Sequence, residues 1–131
     1  MNDPMSFRDA VNGIQSRDGR FAAEAYGFLM DSMEYTLRTI GQHRHVSAAE
    51  LLQGLCDFAR ARYGVMSCTL LESWGVTTTG HIGDLVFHLV EASVLARREE
   101  DRREDFDDVF DLREVLEKGY FDGSEDRSDA M

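Results

Sequence analysis

The segment from Phe21 to Gly41, FAAEAYGFLMDSMEYTLRTIG, constrains the fold more than any other. At about 100° per residue, Phe28, Tyr35, Phe21, Ala25, Leu29, Ile40, Met33, Tyr26, Leu37 and Met30 cover roughly 220° of a helix circumference. Glu24, Asp31, Glu34 and Arg38 fill the remainder. A helix at the edge of a monomer needs an apolar stripe of little more than about 100°. This helix is therefore expected either to run through the centre of the fold or to form half of a subunit interface. In the second case Tyr26, Met30, Met33 and Leu37 are the candidate contact residues.

Helix signals recur on both sides of it. Ser6 with Asp9 three residues on is a cap for a helix that places Phe7, Val11 and Ile14 on one face, and Asp18-Gly19 ends that helix in a turn. Ser47 and Glu50 form a capping box, with Val46 and Leu51 as its hydrophobic staple; the helix continues through Leu55 and Phe58 until Gly64 stops it. A short helix from Ser67, its cap, to Trp74 ends at Gly75. Thr78 or Thr79 then caps a helix with Ile82, Leu85, Val86, Leu89 and Val90 on one face. Leu95 to Glu99 and Phe106 to Phe110 read as two short strands around a charged turn, and Asp111 with Glu114 as a capping box for a last helix through Leu112, Val115 and Leu116, with Tyr120 and Phe121 docking after it.

The expected fold is mainly α: about five helices around one core with a short β-hairpin near the C-terminus. The order of helices 47 to 64, 67 to 74 and 79 to 95 followed by the hairpin is winged-helix-like from 47 to 111. Residues 1 to 122 read as a single compact helical domain and 123 to 131 as a disordered acidic tail. A chain of 131 residues suffices for a core without staples, burying roughly 65 to 70% of its unfolded surface.

No apolar run approaches the roughly 18 residues of a membrane span, and MNDPMSF lacks the basic-then-apolar order of a secretory signal. Cys56 and Cys68, both inside helical patterns, read as reduced, buried thiols of a cytoplasmic protein. Net charge is −11, and residues 97 to 131, with seven basic and fourteen acidic side chains, hold most of the excess. Nucleic acid and anionic membranes are unfavourable partners for such a field.

The stretches HVSAAELL, RYGVMSCTLLESWGV, IGDLVFHLVEASVL and EEDRREDFDDVFDL, supported by RFAAEAYGFLMDSMEYT, together resemble the Minf-type family of small bacterial proteins, over nearly the whole chain. The resemblance implies a mostly helical, cytosolic bacterial protein and carries over no active site; His43, His81 and His88 read as variable positions of the pattern.

Four groups of side chains invite chemistry. His81, Asp84, His88 and Glu91 recur at i, i+3, i+7 and i+10 on the polar face of helix 79–95, where imidazole and carboxylate are metal ligands, with His43 and His45 as possible further donors. The two helix histidines are about 10 Å apart along the axis, so a solvated polar face is the simpler reading. Asp101, Glu104, Asp105, Asp107, Asp108 and Asp111 suggest calcium, but the sixth residue counted from Asp105 is Phe110 where an EF-hand loop needs glycine. Cys68 and Ser67 lack any spaced base, and the glycines form neither a phosphate loop nor a nucleophile elbow. Arg97, Arg98, Arg102 and Arg103 would make a basic wing, were they not interleaved with acids. Trp74 reads as a core plug, or alternatively as an exposed partner anchor.

The function expected from this balance is a non-catalytic cytosolic interaction or regulatory module that self-associates or takes a protein partner, with no cofactor. A winged-helix nucleic-acid-binding regulator and a metal-dependent enzyme built on helix 79–95 are the alternatives.

Overall fold

The computed structural model describes residues 6–41, 46–96 and 102–118. Among these residues six α-helices follow one another: α1 Phe7–Arg17, α2 Ala23–Ile40, α3 Ala48–Tyr63, α4 Ser67–Ser73, α5 Thr79–Glu91 and α6 Leu112–Lys118. Single 3-10 turns lie at Gly64–Met66 and Arg103–Phe106. Apolar side chains from Val11 in α1 to Leu116 in α6 join in one hydrophobic core.

Side-chain caps set most of the helix starts. Ser6 Oγ accepts from the Asp9 N–H at 3.1 Å. The Ser47 N–H donates to Glu50 Oε1 at 3.0 Å and the Glu50 N–H to Ser47 Oγ at 3.1 Å, closing the full capping box. Thr78 caps α5 through the His81 N–H at 3.1 Å. Asp111 Oδ1 accepts from the Glu114 N–H at 3.2 Å, while the Glu114 carboxylate reaches Lys118 at 2.7 Å. Two local expectations fail. Phe7 is 39% exposed rather than buried with Val11 and Ile14. Ser67 is the first residue of α4 and not its cap; its hydroxyl turns back to the carbonyls of Ala59 and Gly64, at 3.0 and 2.6 Å.

Helix α2 runs through the centre. Ala25, Tyr26, Phe28 and Leu29 are buried along it, and Phe21, just before its start, is buried as well. The middle of the buried face is polar. Ser32 and Thr36 lie there, each donating its hydroxyl at 2.8 Å to the carbonyl four residues back, Phe28 and Ser32 respectively. Back-bonding satisfies both hydroxyls without a partner helix, and the small side chains let α3 approach at Gly54. A methyl built on Gly54 would overlap the Thr36 hydroxyl and stand 2.9 Å from its Cβ. Trp74 closes one end of this pair as the core plug, with ring centroids 5.5 Å from Phe28 and 6.2 Å from Tyr63.

The expected hairpin is not seen. Leu95 and Ala96 belong to no strand, residues 97–101 lie outside the described residues, and Phe106 to Phe110 leave the 3-10 turn through bends; there is no strand among the described residues. Thr79 is the reason. This buried side chain donates to the Phe106 carbonyl at 2.7 Å and accepts the Val109 N–H at 3.2 Å, taking backbone groups that a ladder would use. Asp108 has a φ of 49°, which a strand does not accommodate. Phe106 is also pulled onto α5 at Gly83, where a methyl would stand 2.6 Å from its Cβ. Three helices, α3, α4 and α5, follow one another where the winged-helix order expects them, but no wing is seen among the described residues.

Candidate functional site

Burial of Ile82, Leu85 and Leu89 turns the polar side of α5 toward the connection between α1 and α2 and toward the 3-10 turn after α5. Asp84 is the hub. Its Oδ1 accepts from Arg103 Nε at 2.7 Å and its Oδ2 from Arg20 Nη1 at 3.1 Å. Arg103 continues to Asp107 at 2.6 Å, and Arg20 to both oxygens of Asp18 at 3.0 and 3.1 Å. Asp18 Oδ2 in turn lies 3.3 Å from His88 Nε2, and the other ring nitrogen, Nδ1, lies 2.8 Å from the Tyr26 hydroxyl. A carboxylate only accepts, so Nε2 carries the proton toward Asp18, and in the neutral ring Nδ1 accepts from the tyrosine. The resulting run is Tyr26, His88, Asp18, Arg20, Asp84, Arg103, Asp107.

A phenol, an imidazole and a carboxylate in series have the order of an activated nucleophile and its base. Tyr26, however, is fully buried, and burial pushes its hydroxyl up to about 12. The run therefore ties α2, the α1–α2 connection, α5 and the second 3-10 turn together, and Tyr26 is removed from the candidate interface residues. Within it the hydrogen bonds from Arg20 hold the Asp18 carboxyl below its ordinary value.

The proposed metal ligands are drawn apart. His81 Nδ1 accepts the Thr77 N–H at 3.1 Å, Asp84 is engaged by two arginines, His88 lies between Tyr26 and Asp18, and Glu91 lines a separate groove with Asp9 and Arg17. Among the described residues no three His, Cys, Asp or Glu side chains are placed to hold a metal ion. His43 and His45 lie outside the described residues, as do Asp101, Arg97, Arg98, Tyr120, Phe121 and the tail 123 to 131. Of the wing arginines, Arg103 is committed to Asp84 and Asp107. Cys56 and Cys68 are free and buried. Burial pushes the Cys56 thiol up to about 12 and also raises that of Cys68, whose Sγ lies 3.5 Å from Glu72 Oε2. Neither is prepared as a nucleophile.

His81 yields a pH prediction. Burial holds its imidazole below the ordinary 6.5, and the Thr77 N–H also needs an unprotonated Nδ1. The folded state thus favours the neutral ring. Its stability contribution is complete above 6.5 and is lost as the pH falls through the lower folded value. The urea midpoint should fall more between about pH 7.5 and 5 in the native chain than in His81→Gln, the excess being the share of this ring.

Two surface features complete the picture. Met30, Met33 and Leu37, half-buried along the C-terminal part of α2, line an open groove of about 690 Å³ with Asp31, Glu34, Arg38 and Gly41. At the α3–α4 junction Val65 is 98% exposed and Met66 55% exposed. The groove was anticipated by the apolar arc of α2; the Val65–Met66 projection was not, because RYGVM reads only as a helix stop. No described helix is long and apolar enough to cross a membrane. No protein-family model, curated protein or solved structure matches the chain.

Proposed function

We propose that this protein is a non-catalytic, self-associating interaction or regulatory module of the bacterial cytosol, in keeping with its resemblance to the Minf-type family. The observation that carries the reading is the methionine-lined groove on α2. Three flexible or branched apolar side chains, Met30, Met33 and Leu37, remain partly open on a helix whose other face is already packed into the core. Methionine adapts its shape to a partner surface better than branched residues do, and an apolar patch rimmed by charge is the usual form of a protein contact. The polar face of α5 supports the same reading from the other side. Its acid and imidazoles are spent on internal bonds, and Arg103 is spent on carboxylates rather than offered to phosphate.

Light scattering at micromolar concentration should give a mass above that of the 14.9 kDa chain. Met30→Glu should shift the protein to monomer, raising the dissociation constant at least about tenfold, as loss of a central contact residue does. A strict monomer in the native chain would overturn the reading.

A further inference from the structure

We propose that the α2 groove and the Val65–Met66 projection bind each other between copies, the projection of one chain seating in the α2 groove of the next. The inference rests on the self-association reading and specifies its geometry. The projection is a built feature. Gly64 takes φ 57° and ψ −133°, a conformation open essentially to glycine alone, and so throws Val65 outward. The Ser67 hydroxyl then ties the turn to the carbonyls of Ala59 and Gly64. Isolated apolar side chains on a surface are ordinary, but a valine held fully outward by a glycine-only turn beside a methionine is a preformed knob.

Charge gives the knob its partner. Arg62, next to it, rests over the rings of Phe58 and Tyr63 at 5.7 and 5.9 Å, is exposed, and has no ion pair among the described residues. At the groove Asp31 is exposed and likewise has no ion pair among the described residues, whereas Glu34 is paired with Arg38 at 3.1 Å. One unmatched cation stands beside the knob and one unmatched anion beside the hole. Within a chain of net charge −11, a copy offering Arg62 to Asp31 is electrostatically favoured over an approach of two like faces.

The two features do not meet within one chain, Val65 being 98% exposed. Helices α2 and α3 run antiparallel, Phe28 lying against Tyr63 and Thr36 against Gly54. Gly64 is ten residues beyond Gly54, so the knob stands about 15 Å along the hairpin from the level of Thr36 and Leu37, about 10 Å from that of Met33 and about 5 Å from that of Met30. A contact between a knob at one end and a groove toward the other is head-to-tail. Such an interface repeats into a ring or an open filament unless two copies use it reciprocally, each knob in the other's groove, in which case it closes as a two-fold dimer.

The test uses the full chain and sedimentation or light scattering. Val65→Glu and Met30→Glu should each weaken assembly at least tenfold, with folding checked by circular dichroism. Mixed in equal amounts they should form dimers and nothing larger, because the intact groove of the first accepts the intact knob of the second and neither remaining end can extend. Asp31→Arg, an exposed change that does not enter the core, should weaken assembly, and adding Arg62→Glu in the same chain should restore it. If the native chain assembles and Val65→Glu does not disturb it, the head-to-tail contact is overturned while self-association stands. A groove-to-groove dimer, sensitive to Met30→Glu and not rescued by mixing, overturns it in the same way. A native chain that stays monomeric overturns both.

Discussion

Replacing Gly54 with alanine is expected to destabilise the fold by about 2 to 3 kcal/mol, in the upper range for overpacking a well-filled core. On an exposed helix the same change would stabilise by roughly 0.5 to 1 kcal/mol, since glycine loses more backbone freedom than alanine. The sign of the effect therefore reports the helix contact. The new methyl would overlap the Thr36 hydroxyl, and that side chain is held by its bond to the Ser32 carbonyl. Relief requires either breaking that bond in a buried site or moving α3 away from α2. Urea denaturation of Gly54→Ala, Thr36→Ala and the double variant should give a coupling of at least about 0.5 kcal/mol, because removing the hydroxyl first makes room for part of the methyl. Additive effects would mean that the helices are not in contact there.

Thr79→Val should cost about 2 to 4 kcal/mol although the two side chains have nearly the same shape. Valine leaves no cavity. What it removes is the hydroxyl that serves both the Phe106 carbonyl and the Val109 N–H, and each buried group left without a partner costs about 1 to 3 kcal/mol. Thr79→Ser keeps the hydroxyl and loses one methyl, so it should cost only about 0.8 kcal/mol. Hydrogen exchange separates the two cases. The Val109 amide should lose protection in the valine variant and keep it in the serine variant, and equal protection in both would show that another group serves this amide.

Legibility from sequence followed the range of the interactions. Ser47 with Glu50, Ser6 with Asp9 and Thr78 with His81 act within three or four residues, and their spacing is visible in the chain. The same holds for the arc of α2, although its centre was read as wholly apolar. Ser32 and Thr36 are tolerated there because each bonds to its own helix, which no apolar periodicity reveals. The hairpin was misread for a related reason. Residues 106–110 have strand-like composition, but a threonine some thirty residues earlier takes up the backbone groups. Helical spacing puts the histidines and acids of α5 on one polar face, yet the partners of Asp84 and His88, namely Arg20, Asp18 and Tyr26, lie more than sixty residues away. The knob left no periodic trace at all, because it depends on one glycine conformation.

The position of Asp84 also sets an order in time. Pairing of α2 with α3 closes across a connection of a few residues, an event with a small entropic cost, whereas Asp84 must gather Arg20 from 64 residues before it and Arg103 from 19 after it. Contacts of that separation form late in a folding reaction. The arginines are also partly open to solvent, so salt weakens the bonds that finish the structure more than those that begin it. Substitutions at Asp84 should accordingly leave the folding rate nearly unchanged and speed unfolding, making this carboxylate a determinant of how long the native chain persists rather than of how readily it forms.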